Sequence, residues 1–336
     1  MRFLGRCCIV TLACLLIATA VCAEDVVVET LITGLHRPCG VAVQPGGLPV
    51  RHQVYVADTG AGRVIHFASN SPGRVLDVVT GFPAAAGGAG PFDQPGPRGL
   101  MFLDEYQLAV ATANTRGSTI STYRVPGDLR AVSANEARQE LPLPSSAWTL
   151  ARTRANEAVP DLLVVTAIGR GSDRGLLQCR VQADFLGTVE PFGNRTDAGK
   201  SPLPVAVAVS PRGYVVVGWS ATNGTSPHAA ISVHNPANGA VLLRLNSTLR
   251  KIVAFAYSPG TGNLYAADYA AGSGDDGGIY RIDDASRPGD PACEAVKVAS
   301  VRRATALAFG PNRAMYVTTY GDGDADGTLV KITGKL

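Results

Sequence analysis

Short apolar runs recur along the chain at a regular spacing, and most are followed by a turn rich in Gly or Pro. The run VAVAVSP at 205–211 and the run VAFAYSP at 253–259 are near copies of each other. Six such runs lie about 50 to 60 residues apart, at 39–45, 98–104, 147–153, 205–211, 253–259 and 305–311. This period is typical of β-propellers, in which each repeat forms one blade.

Further β-forming runs follow the first run of each repeat, separated by Gly, Pro, Asn and Asp, and they predict antiparallel strands. Helical periodicity is nearly absent. Six four-stranded units predict an all-β, six-bladed β-propeller, because a small sheet buries both faces only against neighbouring blades. The last repeat lacks a fourth strand, and an unpaired apolar segment lies at 26–35. We therefore expect this N-terminal strand to complete the last blade and close the ring.

Residues 1–23 have the pattern of a cleavable signal peptide. Arg2 and Arg6 give a positively charged start, residues 9–17 form a short apolar core, and Val21 and Ala23 are the small residues near the cleavage site. Residues 24–336 are then expected to form the propeller domain of a secreted or periplasmic protein. No later apolar run approaches the roughly 18 residues of a membrane-spanning helix, so we expect no membrane span.

The cysteines outside the predicted signal peptide are three, Cys39, Cys179 and Cys293. An odd number at wide spacing argues against a disulfide scaffold and against a zinc-ligand cluster. One disulfide pair or free buried thiols both remain open. Cys22 is a poor candidate for lipidation because Val21 precedes it, so lipoprotein anchoring is not expected.

Charge excludes one class of partner. The chain has 30 Lys and Arg against 27 Asp and Glu, and loss of the signal peptide would remove two of the positive residues. A domain that is almost neutral argues against nucleic-acid binding, which requires a strong basic excess.

Three stretches resemble known propeller repeats. GLHRPCGVAVQPGG (34–47), followed by VYVADTGAGRVIHF (54–67), resembles an NHL repeat. NLYAADYAAGSGDDGGIYRI (263–282) resembles repeats of the secreted SMP-30/gluconolactonase and sugar-dehydrogenase-like superfamily. The resemblance implies the propeller fold more firmly than an activity, since such propellers include hydrolases, oxidoreductases and binding modules.

In a propeller, the connections that enter the first strands and the loops between the second and third strands lie on one face. This rule places a ring of cations at the channel mouth, and we take these as candidate ligand-binding residues: Arg37, Arg98, Lys200, Lys251, Arg302 and Arg303. Such a mouth would bind a small anionic or carbohydrate ligand, for example a carboxylated sugar or a phosphate group. The alternative is that these cations pair with loop aspartates and hold adjacent blades together. Asp58, one of those aspartates, is expected to cap its own turn.

The loop YGDGDADG at 320–327 resembles the start of a calcium loop through Asp322, Asp324 and Asp326. An EF-hand loop starting at Asp322 needs an acid where Thr333 stands, and a nine-residue propeller loop needs one at Val330. We therefore interpret the segment first as a blade connection and second as a weak calcium site.

Two enzyme hypotheses remain as alternatives. A lactonase of the SMP-30 kind needs a metal held by carboxylates and amides in the channel, yet the six first strands contain no Glu, Asp or Asn in their central four positions. A quinone-dependent sugar dehydrogenase needs a His base, often with calcium, and only His36 and His228 fall in loops of the correct face. Trp148 and Trp219 either stack on a sugar or pack between blades.

No nucleophile elbow, phosphate loop or zinc motif occurs in the sequence. The first hypothesis is therefore a ligand-binding or scaffold module that uses the basic channel mouth, with a small ligand or another protein as its partner. The second is an enzyme on the same face, either the dehydrogenase or the lactone hydrolase.

Overall fold

The computed structural model describes residues 26–48, 52–69, 71, 74–84, 90, 92, 94–114, 117–125, 130–156, 159–168, 175–183, 185–193, 202–220, 229–269, 277–284 and 291–336. Over these residues the chain forms six antiparallel blades around a central channel, which confirms the predicted all-β propeller.

Each blade starts at the channel and proceeds outward, strand by strand, in chain order. Blade one contains β2 (Gly40–Val43), β3 (Gln53–Asp58), β4 (Arg63–Ala68) and β5 (Val75–Thr80). Blade two contains β6 (Gly96–Phe102), β7 (Gln107–Asn114), β8 (Gly117–Arg124) and β10 (Gln139–Leu143). Blade three contains β11 (Ala147–Thr153), β12 (Leu162–Ala167) and β13 (Gly175–Gln182), with an outer strand split into β14 (Phe185–Leu186) and β15 (Glu190–Pro191).

The second half of the ring repeats this order. Blade four contains β16 (Leu203–Val209), β17 (Val215–Ser220), β18 (Ala230–His234) and β19 (Val241–Asn246). Blade five contains β20 (Ile252–Tyr257), β21 (Leu264–Asp268), β22 (Gly278–Asp284) and β23 (Cys293–Ala299). Blade six contains β24 (Ala304–Phe309), β25 (Met315–Thr319) and β26 (Gly327–Thr333).

The N-terminal strand closes the ring as predicted. β1 (Val27–Leu35) pairs antiparallel with β26 as the outermost strand of blade six. The register places Val27 opposite Thr333 and Leu35 opposite Gly327, with two irregularities between them. First and last strands of the described chain are therefore hydrogen-bonded in one sheet.

Hydroxyl side chains connect adjacent blades near the channel. Thr59 Oγ1 donates to the carbonyl of Pro97 at 2.7 Å, from blade one to blade two. Ser220 Oγ donates to Ile252 at 2.9 Å, from blade four to blade five. Thr305 Oγ1 donates to Pro38 at 2.7 Å across the closing seam between blades six and one. A repeated contact of this kind satisfies first-strand carbonyls that the sheets themselves leave unpaired.

Glycines permit close approach of neighbouring first strands. A Cβ atom at Gly40 would overlap the carbonyl oxygen of Arg98, and a Cβ at Gly99 would lie 2.7 Å from the carbonyl oxygen of Trp148. Blades one, two and three therefore pack at a separation that only a missing side chain allows.

Two features differ from a plain four-stranded repeat. β9 (Val132–Ser133) adds a short parallel strand to the outer edge of blade one, although it precedes the last strand of blade two in the chain. Cys39, Cys179 and Cys293 are all buried free thiols, so the disulfide pair left open above does not form. Among the described residues, no helix is long and apolar enough to cross a membrane.

Candidate functional site

The connection from β1 to β2 is held by a buried carboxylate. Asp58 is fully buried; its Oδ1 accepts from the amide of His36 at 2.6 Å, and its Oδ2 accepts from Arg63 Nε at 2.9 Å. The expectation that Asp58 caps its own turn is wrong, because its side chain makes no cap hydrogen bond to the following 3-10 turn. Instead, Asp58 fixes the corner that presents His36 and Arg37 at the channel mouth.

Arg37 stands in a strained backbone conformation at that corner. Its φ is +52°, in the left-handed region, where a residue with a Cβ costs about 1–2 kcal/mol. Its side chain is 12 % exposed, pairs with Asp324 and places its guanidinium 5.7 Å from the ring centre of Tyr320. Within the described part of the chain, its buried Nε and Nη1 atoms have no hydrogen-bond partner.

Blade six repeats this arrangement one blade away. Arg303 also has a φ of +52°. Its Nη1 donates to the carbonyl of Gly321 at 2.7 Å and lies 2.9 Å from Asp322 Oδ1. The exposed Arg302 contacts the other oxygen of Asp322 at 2.8 Å. The basic mouth, by which we mean Arg37, Lys251, Arg302 and Arg303, thus contains three arginines with acidic partners. Of these pairs, only Arg37 with Asp324 joins two blades, as the blade-pairing alternative requires, because Arg302 and Arg303 pair with Asp322 of their own blade.

Aromatic rings form the floor beneath these cations. The ammonium of Lys251 lies 4.6 Å from the ring centre of Phe92 and 4.9 Å from that of Tyr269. Tyr269 in turn contacts Tyr320 edge to face, with ring centres 6.2 Å apart. Burial raises the pKa of Tyr320 to about 12, so its phenol stays protonated at neutral pH. The aromatic floor, Phe92, Tyr269 and Tyr320, offers flat apolar faces next to positive charge.

Arg98 lies deeper than the other predicted cations. Its side chain is buried; Nη1 donates to Ser146 Oγ at 3.0 Å, and Nη2 donates to the carbonyls of Phe92 and Gln94. Its guanidinium lies 5.5 Å from the ring centre of Trp148. Ligand binding by Arg98 stays a prediction, and its burial favours a structural role.

Trp148 spans the channel below the aromatic floor. It is fully buried, and its indole Nε1 donates to the carbonyl of Val253 at 3.0 Å, from blade three to blade five. Phe92 packs on it edge to face at 4.6 Å between ring centres. Trp219 lies in β17 instead, where its Nε1 donates to Ser232 Oγ at 2.6 Å. Both tryptophans are therefore packed within the propeller.

The acidic loop connects β25 to β26, as expected for a blade connection. Its three carboxylates point to different partners: Asp322 contacts Arg302 and Arg303, Asp324 contacts Arg37, and Asp326 Oδ2 accepts from the amide of Gly323 at 2.8 Å. No three His, Cys, Asp or Glu side chains in the described ranges come together as metal ligands. This arrangement does not fit a calcium ion, and the first strands likewise offer no carboxylate or amide set for a lactonase metal.

Two of the predicted site residues, Lys200 and His228, lie outside the described residues. Of the two candidate bases, only His36 is described: its Nδ1 lies 4.0 Å from Asp58 Oδ2, and its side chain is 45 % exposed.

The aromatic floor was not predicted from the sequence. One signal was available, because Tyr269 and Tyr320 each follow the second strand of their blade at equivalent positions. Phe92 gives no such signal, since it lies in a Gly- and Pro-rich connection outside the repeat.

No family model matches the chain, and no curated protein sequence is significantly similar to it. Solved structures do share its fold. A glucose dehydrogenase matches with a TM-score of 0.59 and 16% identity, covering 92% of this chain and 100% of that one. A gluconolactonase from Xanthomonas campestris matches with a TM-score of 0.57 and 14% identity, covering 94% and 93%.

A soluble aldose sugar dehydrogenase from Escherichia coli gives similar values, a TM-score of 0.57 and 14% identity over 93% of this chain and 100% of that one. Identities this low carry the fold and not the activity. The chain therefore has the six-bladed β-propeller fold that sugar dehydrogenases and gluconolactonases also have.

Proposed function

We propose that this protein binds a small anionic ligand, such as a carboxylated sugar, at the basic mouth. The observation that carries the proposal is Arg37, whose buried Nε and Nη1 have no partner among the described residues. Buried guanidinium donors without acceptors are costly, and an oxyanion would satisfy them with charge-assisted hydrogen bonds. The strained backbone of Arg37 supports the same view, because such strain is common at binding sites.

The aromatic floor narrows the class of ligand. Phe92, Tyr269 and Tyr320 lie directly beside Lys251 and Arg37, so a ligand held by its charge would also contact ring faces. A sugar ring with a carboxylate combines an apolar face with an anion and matches both features. The acidic partners Asp322 and Asp324 would reorganise or share the arginines when such a ligand binds.

The test compares glucuronate with glucose, which has the same ring without the carboxylate. Binding is measured by calorimetry at low salt with the full chain. We expect glucuronate to bind and glucose not to bind. Arg37→Gln should raise the dissociation constant for glucuronate roughly 10- to 100-fold, the equivalent of about 1.5–3 kcal/mol for a charge-assisted hydrogen bond. Lys251→Gln should weaken it less, because cation–π contacts and one charge are lost but no buried donor is.

Arg212→Gln is the matched control, since it removes the same charge from an exposed turn between β16 and β17 on the opposite face. It should leave binding unchanged. If glucose binds as well as glucuronate, or if Arg37→Gln binds like the wild type, the anion-binding proposal is refuted. If the ligand of the mouth is another protein, that protein should co-purify with the wild-type chain in a pull-down and should be lost with Arg37→Gln.

An enzyme at this face is the second candidate function, supported by the position of His36. A base needs a neighbour that orients it, and the buried Asp58 lies 4.0 Å from His36 Nδ1. The basic mouth would suit a quinone with carboxylate groups. The assay is sugar-dependent dye reduction with added quinone and calcium, together with a thermal shift. If the protein shows no dye reduction and no thermal shift, the dehydrogenase hypothesis is refuted. If His36→Gln retains the activity, His36 is not the base.

The lactone hydrolase has less support, because the described channel residues do not fit its metal. Gluconolactone hydrolysis with added divalent cations tests it directly. We also propose that the protein is exported, on the pattern of residues 1–23. The N-terminal sequence of the mature protein, recovered from outside the cytosol, would begin near residue 24; an intact N-terminus would contradict export.

A further inference from the structure

A cavity of about 930 Å³ lies inside the channel, on the far side of Trp148 from the basic mouth. All six first strands line it, together with the turns that follow β2, β6, β11 and β20. Those turns lie on the face opposite the mouth, so the cavity opens there. Its size is within the range of about 300–1,000 Å³ typical of small-molecule sites.

Small residues at repeated positions keep this cavity open. One structurally equivalent position in the six first strands, defined by its pairing with the second strand, contributes five alanines and one methionine to the lining, namely Ala42, Met101, Ala151, Ala208, Ala256 and Ala308. The residue two positions earlier in each strand is again small where it lines the cavity, as at Gly40, Gly99, Thr149, Ala254 and Ala306. An added side chain at Gly40 or Gly99 would collide with the neighbouring first strand, so these two glycines keep the blades close together, whereas Ala256 and Ala308 are partly exposed and line the cavity.

Most side chains that line the cavity are apolar, and the charged ones come from strand ends and from the turns at the opening. Arg152, near the end of β11, is paired: its Nε and Nη2 donate to the two oxygens of Asp161 at 2.7 and 2.6 Å, and its Nη1 donates to the carbonyl of Leu103. Asp104, Glu105 and Arg154 are exposed at the opening, so the rim has no single sign of charge.

Two of the lining residues carry hydroxyl groups, Thr149 and Tyr257. Thr149 Oγ1 already donates to the carbonyl of Val205 at 2.8 Å, from blade three to blade four. Burial raises the pKa of Tyr257 to about 12, so it offers a neutral donor. Burying a charge against such walls costs several kcal/mol without a partner, whereas a neutral apolar molecule gains from leaving water.

We propose that the channel is a second binding site, which takes an uncharged, largely apolar small molecule from the face opposite the basic mouth. The site does not depend on the function proposed for the mouth. Trp148, Phe92 and Arg98 separate the two.

Two fluorescent probes of the same shape test the charge preference. N-phenyl-1-naphthylamine is neutral, and 8-anilino-1-naphthalenesulfonate adds one sulfonate to the same skeleton. With the full chain, the neutral probe should bind saturably at one site, at least tenfold tighter than the sulfonate. Equal or tighter binding of the sulfonate, or no saturable binding of the neutral probe, overturns the proposal.

Variants locate the site. Ala256→Leu combined with Ala308→Leu fills part of the cavity and should weaken the neutral probe at least tenfold. Ala237→Leu makes the same change in an exposed turn and should have no effect. Leu242→Ser removes an exposed apolar side chain from β19, where Val241, Leu242 and Leu243 are consecutive exposed apolar residues, and should also have no effect. Unchanged binding in the double variant, or loss in Leu242→Ser, refutes the channel site.

Wild-type labelling covers the case in which the double variant fails to fold. An uncharged aryl diazirine, photolysed in the presence of the full chain, should label peptides that contain 254–259 and 306–309. Competition by unlabelled N-phenyl-1-naphthylamine should abolish that labelling. Labelling confined to 241–243 instead would place the probe on β19 and overturn the proposal.

Discussion

Arg63 contacts two carboxylates of very different exposure, and this pair tests how the corner at the channel mouth is held. Asp58 is fully buried and accepts from Arg63 Nε at 2.9 Å and from the amide of His36 at 2.6 Å. Asp77 is 43% exposed and accepts from Arg63 Nη1 at 3.1 Å. Replacing each in turn by Ala removes the same chemical group from a buried and from an exposed position.

The expected costs differ several-fold. Asp58→Ala leaves a buried amide without its acceptor, worth about 1–3 kcal/mol, and breaks a buried ion pair, for which the loss of one partner costs about 3–5 kcal/mol. Because Arg63 is 34% exposed and regains water, we expect a total of about 3 kcal/mol. Asp77→Ala removes a surface pair, worth about 0–1 kcal/mol.

Urea unfolding followed by circular dichroism and by tryptophan fluorescence measures both variants. The slope of the free energy against urea should stay constant while the midpoint falls. Asp58→Asn keeps an oxygen acceptor for the His36 amide and should fall between wild type and Asp58→Ala. If the two alanine variants differ by less than about 1 kcal/mol, Asp58 does not hold the corner as described.

Two further predictions concern the seam between blades six and one and the buried His66. Thr305→Val removes the hydroxyl that donates to Pro38 across blades six and one, and should destabilise the fold by about 1–2 kcal/mol in urea unfolding; an unchanged midpoint would contradict the seam contact. His66 is buried, its ring nitrogens have no partner within the described chain, and burial lowers its pKa. Below about pH 6.5 the unfolded chain takes up a proton before the folded one, so the free energy of unfolding should fall from pH 7.5 to 5.5. His66→Phe should reduce that fall, and an identical pH dependence in both proteins would refute the assignment.

The repeat predicted the fold because its period, strand length and turn residues all depend on local sequence. The closing strand was predictable for a related reason, since 26–35 had no other partner. The alternation of small residues in the first strands was also visible, although it indicates a wide channel only once the strands are known to surround one.

The candidate site was predictable only in part. The sequence placed Arg37, Arg98 and Arg303 together at the mouth, although Arg37 and Arg303 lie two residues before their runs, whereas Arg98 is the first residue of its run and is buried. That difference depends on Phe92 and Trp148, which come from a non-repeated connection and from a neighbouring blade. Contacts between blades leave no local pattern. The role of Asp58 was assigned wrongly from its own turn for another reason, because its carboxylate accepts from the amide of His36, 22 residues earlier in the chain.

The pairing of β1 with β26 has a consequence for synthesis as well as for stability. Val27 cannot pair until Thr333, 306 positions later in the chain, has been synthesised. At about 5–20 residues per second, the interval is roughly 15–60 s. Closing a loop of this length also costs on the order of 5 kcal/mol in chain entropy. The β-forming segment VVETLITGL is the first strand of the propeller to be synthesised and the last to be paired. During that interval the nascent chain therefore carries an unpaired strand, which is free to pair with another chain.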